Sequence, residues 1–224
     1  MKIDESLDKK VDGRGWRESV EWKRKAVHLS GCFLAVWVLI FAEPLATAVL
    51  FLLAFFIIAV DYSRLRAKKW AELIYQVFPM MYRNDERNTL SGSSAMIAGA
   101  AITSLLFESG PAFAGIMCLS LGDSAAAIFG QAYSFRRQQL GLEASDGTST
   151  PVVNIRQGKT IAGSLACLIV CALIIFVFIT KDFSTVLISS TVATAMERWT
   201  PGRWDNVTIP LVTAGVLQFL LSWN

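Results

Sequence analysis

The residue least expected in its surroundings is Asp123, which lies inside a long apolar stretch among glycine, serine and alanine. A carboxylate in such a position costs free energy unless a cation, a metal ion or a water-filled cavity accompanies it. Its small neighbours would let other helices come close. Asp123 is therefore the first candidate for a catalytic or metal-binding group, and a structural ion pair is the alternative.

A second polar group, EWKRKAVHLSG at residues 21–31, stands at the entrance to the first apolar stretch. Helical spacing places Arg24 and Lys25 on the same face as His28, the single histidine of the chain. Such a face could bind phosphate groups. The alternative is a positive cluster that only fixes the orientation of a membrane helix.

Two more groups contain residue types suited to phosphate and metal ions. The GKT motif at residues 158–160 opens another apolar stretch, where a helix N-terminus and a lysine could hold phosphate. It is not a P-loop, because Val153 stands where that motif requires glycine. Glu197, Asp205 and Asn206 flank a short polar segment, and their oxygens are hard ligands suited to Mg²⁺.

Two further polar groups have ordinary structural explanations. Asp61 and Arg64 have the spacing of an ion pair at the end of the second apolar stretch. Serines and glycines at the start of the third stretch can cap a helix and allow close helix packing. They are Ser91, Gly92, Ser93, Ser94 and Gly99.

The composition restricts the class of protein. Of 224 residues, 54% are apolar and 17% are charged, and the mean hydropathy is +0.47. Soluble domains have about 45–50% apolar and about 25% charged residues, so neither a soluble globular nor a disordered protein fits. The net charge of +3 lies in blocks between apolar stretches, which excludes a conventional basic nucleic-acid-binding protein. The cysteines lie in apolar stretches and are expected to be small buried residues: Cys32, Cys118, Cys167 and Cys171.

The apolar stretches predict an all-α, polytopic membrane protein with about seven transmembrane helices. They cover residues 26–42, 45–60, 94–107, 111–130, 161–180, 184–197 and 207–222. Twenty of the 21 lysines and arginines fall on one side, which the positive-inside rule assigns to the cytoplasm. The N-terminus is therefore expected in the cytoplasm and the C-terminus outside, with every candidate site residue on the cytoplasmic side.

A single transmembrane domain is expected over residues 21–224, after a polar N-terminal tail at residues 1–20. Its cytoplasmic loops are placed at residues 61–93, 131–160 and 198–206, and residues 136–160 are expected to be flexible. In the first loop, apolar residues at helical spacing predict a short helix on the membrane surface. They are Trp70, Leu73, Ile74, Val77 and Phe78.

Together, these groups provide carboxylates for a hard metal ion, cations for phosphate and a polar cavity that opens to the cytoplasm. Transfer of a phosphoryl group at a membrane surface needs this combination, and a lipid hydroxyl could arrive from the bilayer. An ion-coupled transporter could use similar residues, but it normally needs polar groups at mid-membrane and on both faces. The predicted external half is instead bare of them.

Four short motifs, RKAVH, GDSAAAIFG, GKTIAG and E…DN…P, follow in an order that resembles the CTP-dependent lipid-alcohol kinases. That family includes dolichol kinase, phytol kinase and the fungal-type diacylglycerol kinase, and the resemblance covers about residues 20–212. It implies transfer of the γ-phosphate of a nucleotide, CTP, to the hydroxyl of a polyprenol-, dolichol- or phytol-like lipid or of diacylglycerol. It also implies Mg²⁺ as the cofactor.

The resemblance implies a role for each matched residue. It assigns catalysis to Asp123, Lys159 and His28, and metal binding to Asp123, Asp205 and Glu197. It assigns nucleotide or phosphate binding to the other matched positions, which are Arg24, Lys25, Gly122, Gly130, Gly158, Thr160, Gly163 and Asn206. The chain departs from the family pattern at Ala162, where the family often has glutamate.

Two alternatives remain open at this level. A phosphatidate cytidylyltransferase also joins CTP to a membrane lipid, and its motifs resemble the Gly-Asp and Lys-Thr elements of this chain. A transporter or a non-catalytic membrane protein would bind no nucleotide. The two enzymes differ in their products. The kinase releases CDP and a lipid monophosphate, whereas the cytidylyltransferase releases pyrophosphate and a CDP-lipid.

The expected partners are a membrane lipid alcohol and a nucleotide, with no nucleic acid. The expected location is the cell membrane of a prokaryote or an endoplasmic-reticulum-type membrane of a eukaryote. Three properties stay open from residues alone: which lipid alcohol is used, whether CTP is preferred over ATP or UTP, and whether copies of the chain form a homo-oligomer.

Overall fold

The computed structural model of the protein describes residues 25–77, 89–139, 153–154 and 159–223. Within these ranges the chain is almost entirely helical, as the apolar stretches predict. Arg24, Phe78, Gly158 and the tail at residues 1–20 lie outside the described residues, so the predictions that involve them stay predictions.

The helices follow one another through short connections. Helix α1 covers Lys25–Ile40, α2 Glu43–Arg66, α3 Lys68–Val77, α4 Gly92–Leu106 and α5 Ser109–Met117. A π-helical turn, Cys118–Gly122, joins α5 to α6, Asp123–Gln139. Strands β1, Val153–Asn154, and β2, Lys159–Thr160, precede α7, Ile161–Phe178. Helix α8 covers Phe183–Trp199, and a 3-10 turn at Gly202–Trp204 leads into α9, Asp205–Trp223.

Four helical segments are long and apolar enough to cross a membrane. They are Glu43–Arg66, Ser109–Ser134, Ile161–Phe178 and Gly202–Trp223. Helices α1 and α4 are apolar but shorter. Each of the seven apolar stretches thus lies on a helix, but these lengths establish four candidate spans and not seven.

Small side chains fill the interior of the bundle, and large apolar side chains face outward. Ala35, Ala100 and Ala112 are fully buried, whereas Phe33 is 79% exposed and Phe55 75% exposed. Water-soluble proteins bury most of their large apolar side chains. Helices in lipid associate instead through small residues that let their backbones approach, so this distribution suits contact with lipid.

Glycines make the closest contacts between helices. A Cβ atom added at Gly99 of α4 would lie 2.5 Å from the backbone oxygen of Asn206 in α9. One added at Gly163 of α7 would lie 2.5 Å from the backbone oxygen of Ala126 in α6. Distances this short exclude a side chain, so these helix pairs touch backbone to backbone. The close packing predicted for Gly99 is confirmed.

Side-chain oxygens cap the N-termini of three helices. Ser91 Oγ accepts a hydrogen bond from the Ser94 N–H at 3.2 Å, which confirms the predicted cap of α4. Thr160 Oγ1 accepts one from the Gly163 N–H at 3.0 Å, so α7 begins where the GKT motif ends. Asp182 caps α8 in the same way. Such caps satisfy backbone donors that have no partner within the first helical turn.

Two expectations for residues 131–160 are revised. Helix α6 continues to Gln139, nine residues beyond the apolar stretch that ends at residue 130, because the chain stays helical after it becomes polar. Part of the segment expected to be flexible is ordered instead, since β1 and β2 pair antiparallel with Asn154 opposite Lys159. Residues 140–152 lie outside the described part of the chain.

The structure also decides the predictions for the helix after α2 and for the four cysteines. Helix α3 confirms the helix expected from the spacing of Trp70 and Leu73, although its position on a membrane surface stays a prediction. Three cysteines are buried free thiols as expected: Cys118, Cys167 and Cys171. Cys32 is only half-buried, because it shares a face of α1 with the exposed Leu29 and Val36.

Candidate functional site

Asp123 lies where α1 and α6 meet. The Nζ atom of Lys25 is 2.8 Å from Asp123 Oδ2 and also donates to the Asp123 backbone oxygen at 3.4 Å. His28 Nδ1 is 3.4 Å from the same Oδ2. The side chains of Lys25, His28 and Asp123 are 6%, 11% and 14% exposed. Helix α1 therefore provides the cation that a carboxylate in an apolar stretch requires.

The π-helical turn directly precedes Asp123. Within it, Ser120 Oγ donates to the Ile116 backbone oxygen at 3.0 Å, and Ser124 Oγ donates to the Ser120 backbone oxygen at 2.7 Å. These hydroxyls offer hydrogen bonds where the regular helical pattern is interrupted. Turns of this kind are rare and often occur at functional sites. No periodic pattern in the sequence predicts the turn.

Lys159 forms a second charged cluster, between the start of α7, the end of α8 and the start of α9. Its Nζ atom lies 3.3 Å from Glu197 Oε1 and 3.7 Å from Asp205 Oδ2, and it also donates to the Glu197 backbone oxygen. Pairing with Asn154 fixes the backbone of Lys159 just before α7 begins. Gly202, with a φ of +61°, allows the tight turn that brings α9 back toward α8. One lysine is thus shared by two carboxylates.

The two clusters belong to one site. The start of α7 packs directly against α6, since Gly163 touches the Ala126 backbone. Lys159 lies just before α7, and Asp123 is one helical turn before Ala126. Residues from α1, α6, α8, α9 and the start of α7 therefore converge at one end of the bundle. Their lysines are suited to phosphate, and their carboxylates to a metal ion or a proton.

Two buried oxygens of the site have no hydrogen-bond partner among the described residues. They are Glu197 Oε2 and Asn206 Oδ1, on side chains whose residues are 4% and 3% exposed. The amide nitrogen of Asn206 does have a partner, since Nδ2 donates to the Gly92 backbone oxygen at 3.0 Å. A buried acceptor without a donor costs about 1–3 kcal/mol. A cation or a donor group would be stabilised at these two oxygens.

The described carboxylates do not form a metal site from protein side chains alone. Within the described ranges, no group of three or more His, Cys, Asp or Glu side chains could hold a metal ion. Asp123 pairs with α1, whereas Glu197 and Asp205 share Lys159. Magnesium bound with phosphates commonly uses only one or two carboxylates. Glu197 and Asp205 share Lys159, and metal binding by these two carboxylates and by Asp123 stays a prediction.

Three glycines assigned to nucleotide binding instead contact protein in the structure. A Cβ atom at Gly122 would lie 2.7 Å from Cys171 Sγ, and one at Gly130 would lie 3.0 Å from Thr160 Oγ1. Gly163 contacts the backbone of α6, as described above. Gly130 and Gly163 therefore bring α6 and the start of α7 together near Lys159, and Gly122 brings the π-helical turn against α7 next to Asp123. A direct contact with nucleotide stays a prediction for each of them.

Two polar contacts at this end of the bundle involve residues that the sequence analysis did not assign to the site. Arg198 Nη1 donates to Ser164 Oγ at 3.0 Å, next to the start of α7. The predicted Asp61–Arg64 ion pair is confirmed, but it is buried and also contacts the start of α4. Its spacing predicts only a pair within one helix, because the contact with α4 depends on how the helices pack.

Comparison with other proteins supplies one distant relative. An uncharacterized protein of Rickettsia prowazekii (strain Madrid E) is 27% identical over 202 residues, which cover 85% of this chain and 90% of the relative. No family model matches the chain. No solved structure matches it either.

Proposed function

We propose that the protein is an integral-membrane lipid kinase, which transfers the γ-phosphate of CTP to the hydroxyl of a lipid alcohol at a cytoplasmic site. One observation carries this proposal. Two lysine–carboxylate clusters, centred on Asp123 and Lys159, meet at one end of an apolar helix bundle. The order of the sequence motifs that supply these clusters supports the same reaction.

The proposed topology has seven spans, with the N-terminus in the cytoplasm and the C-terminus outside. The alternation of the helices supports it, because α1, α4, α7 and α9 begin near the site while α8 ends there. The four long apolar segments would cross the bilayer fully. The shorter helices would cross where polar residues of the site admit water. The protein would reside in the cell membrane of a prokaryote or an endoplasmic-reticulum-type membrane of a eukaryote.

In the proposed reaction, Lys25 and Lys159 bind the phosphates of the nucleotide in place of their present carboxylate partners. Asp123 then accepts the proton of the lipid hydroxyl, and the hydroxyl oxygen forms a bond to the γ-phosphorus. The bond from that phosphorus to the bridging oxygen breaks, and CDP leaves. His28 lies close enough to Asp123 to influence its charge. When bound at Glu197 and Asp205, Mg²⁺ would neutralise charge on the phosphates.

A turnover assay tests this proposal directly. Purified protein in mixed micelles receives Mg²⁺, γ-labelled CTP or ATP, and one of four alcohols: dolichol, a shorter polyprenol, phytol or diacylglycerol. We expect label in the lipid phase, with CTP and one alcohol preferred. Release of pyrophosphate with phosphatidate, and no transfer to any alcohol, would identify a cytidylyltransferase instead. A folded sample inactive in both assays would favour a transporter or a non-catalytic membrane protein.

A further inference from the structure

A buried ion pair joins the end of α2 to the start of α4. Asp61 Oδ1 accepts a hydrogen bond from Arg64 Nε at 2.8 Å and lies 2.6 Å from Arg64 Nη2. Asp61 Oδ2 accepts from the Ser91 N–H at 2.6 Å and from Ser94 Oγ at 2.8 Å. The two charged side chains are 1% and 0% exposed. Loss of either one would leave a buried charge without its counter-ion.

The same pair holds the turn at residues 89–92, which we call the α4 turn. Arg64 Nη2 donates to the Thr89 backbone oxygen at 2.8 Å. Ser91 Oγ both accepts from the Ser94 N–H and donates to Ser94 Oγ, each at 3.2 Å. Helix α2 thus fixes the turn at Thr89 and at Ser91 through two charged groups.

Hydrogen bonds also attach the start of α9 to the same turn. Arg203 Nη1 donates to the Leu90 backbone oxygen at 2.8 Å, just before α9 begins. Asn206 Nδ2 donates to the Gly92 backbone oxygen at 3.0 Å. These bonds, and the backbone contact at Gly99, place the start of α9 relative to α4.

The start of α9 is part of the candidate site. Asn206 carries a buried oxygen that has no hydrogen-bond partner among the described residues. Its neighbour Asp205 contacts Lys159. A shift of the α4 turn would therefore move Asn206 and, with it, the neighbouring Asp205 carboxylate that contacts Lys159.

We propose that Asp61 and Arg64 are positioning residues, which hold Asn206 and the start of α9 in place for nucleotide binding by acting through the α4 turn. This inference rests on the proposed function, because it names residues that serve the same site. It makes a specific claim: the effect of Asp61 on the site passes through Asn206.

Steady-state kinetics test the claim with Asp61→Asn, Asn206→Ala and the double variant. Groups coupled through one hydrogen-bond network give non-additive effects, so we expect Asp61→Asn to raise the KM for nucleotide about tenfold and leave the KM for lipid unchanged. In the Asn206→Ala background, Asp61→Asn should raise the KM for nucleotide by less than about twofold. If Asp61→Asn does not fold, Ser94→Ala removes one of the bonds to Asp61 and should shift the nucleotide KM in the same direction by less.

A matched control is available on the same two helices. Thr47 of α2 and Ser104 of α4 share a hydrogen bond at 2.8 Å, far along the chain from the α4 turn. We expect Thr47→Val to lower the thermal unfolding midpoint without a change in either KM. Equal KM effects of Thr47→Val and Asp61→Asn would overturn the proposal, as would independent effects of Asp61→Asn and Asn206→Ala.

The outcome also separates this inference from the proposed function. If the wild-type protein transfers no phosphate to any alcohol, the proposed function fails. The same double-variant cycle is then measured from unfolding midpoints. If the shifts in midpoint caused by the two substitutions are non-additive, they support the link from Asp61 to Asn206. Additive shifts would overturn it.

Discussion

At the scale of single residues, the candidate site consists of lysines held by carboxylates from other helices. Lys25 contacts Asp123, and Lys159 contacts Glu197 and Asp205. Buried ion pairs contribute little net stability, because desolvation offsets much of their attraction, but removal of one partner is costly. Such pairs are suited to an exchange in which substrate phosphate replaces the carboxylate. Each lysine would keep a negative partner in both states.

Replacement of Asp123, the carboxylate that Lys25 of α1 contacts, tests this interpretation. If Asp123 accepts the proton of the lipid hydroxyl, Asp123→Asn should lower the rate of phosphate transfer by at least about 100-fold. The rate is measured per folded protein, as judged by size-exclusion chromatography in detergent. Asp182→Asn is the control, because it makes the same change at a helix cap that takes no part in the site. Retained activity in Asp123→Asn would remove Asp123 from the mechanism.

At the scale of elements, the position of the site depends on which helices touch without side chains between them. Gly99 brings α4 onto α9, and Gly163 brings α7 onto α6. The π-helical turn then ends at Gly122, and α6 begins with Asp123. Backbone contact fixes helix spacing more tightly than side-chain packing does. Charges on five elements can therefore meet at one end of the bundle.

The contact between α4 and α9 can be tested with a single methyl group. Gly99→Ala would place its Cβ atom 2.5 Å from the Asn206 backbone oxygen, so the helices must separate. We expect a loss of stability of about 1–3 kcal/mol, the usual cost of overpacking, together with weaker nucleotide binding. Thermal unfolding in detergent and equilibrium nucleotide binding measure the two effects. Gly110→Ala is the matched control, since its nearest contact would be at 4.0 Å. Nucleotide binding should be unchanged, and stability should not fall, because alanine favours a helix more than glycine does.

The cap of α8 provides a test by pH. Hydrogen bonds from Ser184 and Thr185 lower the pKa of Asp182 from its ordinary 3.8 to about 2. A pKa that is lower in the folded state stabilises the fold at neutral pH, and this contribution is lost as pH falls from about 4 to about 2. The unfolding midpoint of Asp182→Ala should therefore lie below that of the wild type at neutral pH and approach it over that range.

A cap that does not titrate serves as the control for this pH dependence. Ser91 caps α4 with a hydroxyl group. The midpoint difference between the wild type and Ser91→Ala should stay constant over the same range. A constant difference for Asp182→Ala would contradict the assigned role of its carboxylate.

At the scale of the whole molecule, the distribution of residues favours a membrane environment. Large apolar side chains cover the outside, and the described interior is rich in alanine and other small residues. Four segments are long and apolar enough to span. The lysines and arginines lie almost entirely on one side in the proposed topology, which the positive-inside rule places in the cytoplasm.

Reporter fusions test the proposed orientation. Alkaline phosphatase joined after the last residue, Asn224, should be active, because seven spans place the C-terminus outside the cytoplasm. The same reporter joined after residue 140, in the second predicted cytoplasmic loop, should be inactive although it is expressed. An inactive C-terminal fusion would require an even number of spans and would contradict the topology.

The sequence by itself determined the features that depend on neighbours along the chain. Apolar stretches of sufficient length predicted the helices, and Ser91 predicted the cap of α4, because the capping hydroxyl bonds to the backbone three residues later. Helical spacing placed Lys25 and His28 on one face, and both do lie beside one carboxylate. Local geometry decides each of these, so local sequence is sufficient to predict them.

Only the tertiary structure decided which of these groups meet. Lys25 and Asp123 are 98 residues apart, and Lys159 and Glu197 are 38 apart, so no local periodicity pairs them. The same holds for the bonds from Asp61 to the α4 turn. The physical reason is that apolar helix faces attract lipid and one another about equally, so hydrophobicity does not select a neighbour in a membrane. Close approach at a few glycines and the pairing of buried polar groups make that selection, and both depend on the complete packing of the bundle.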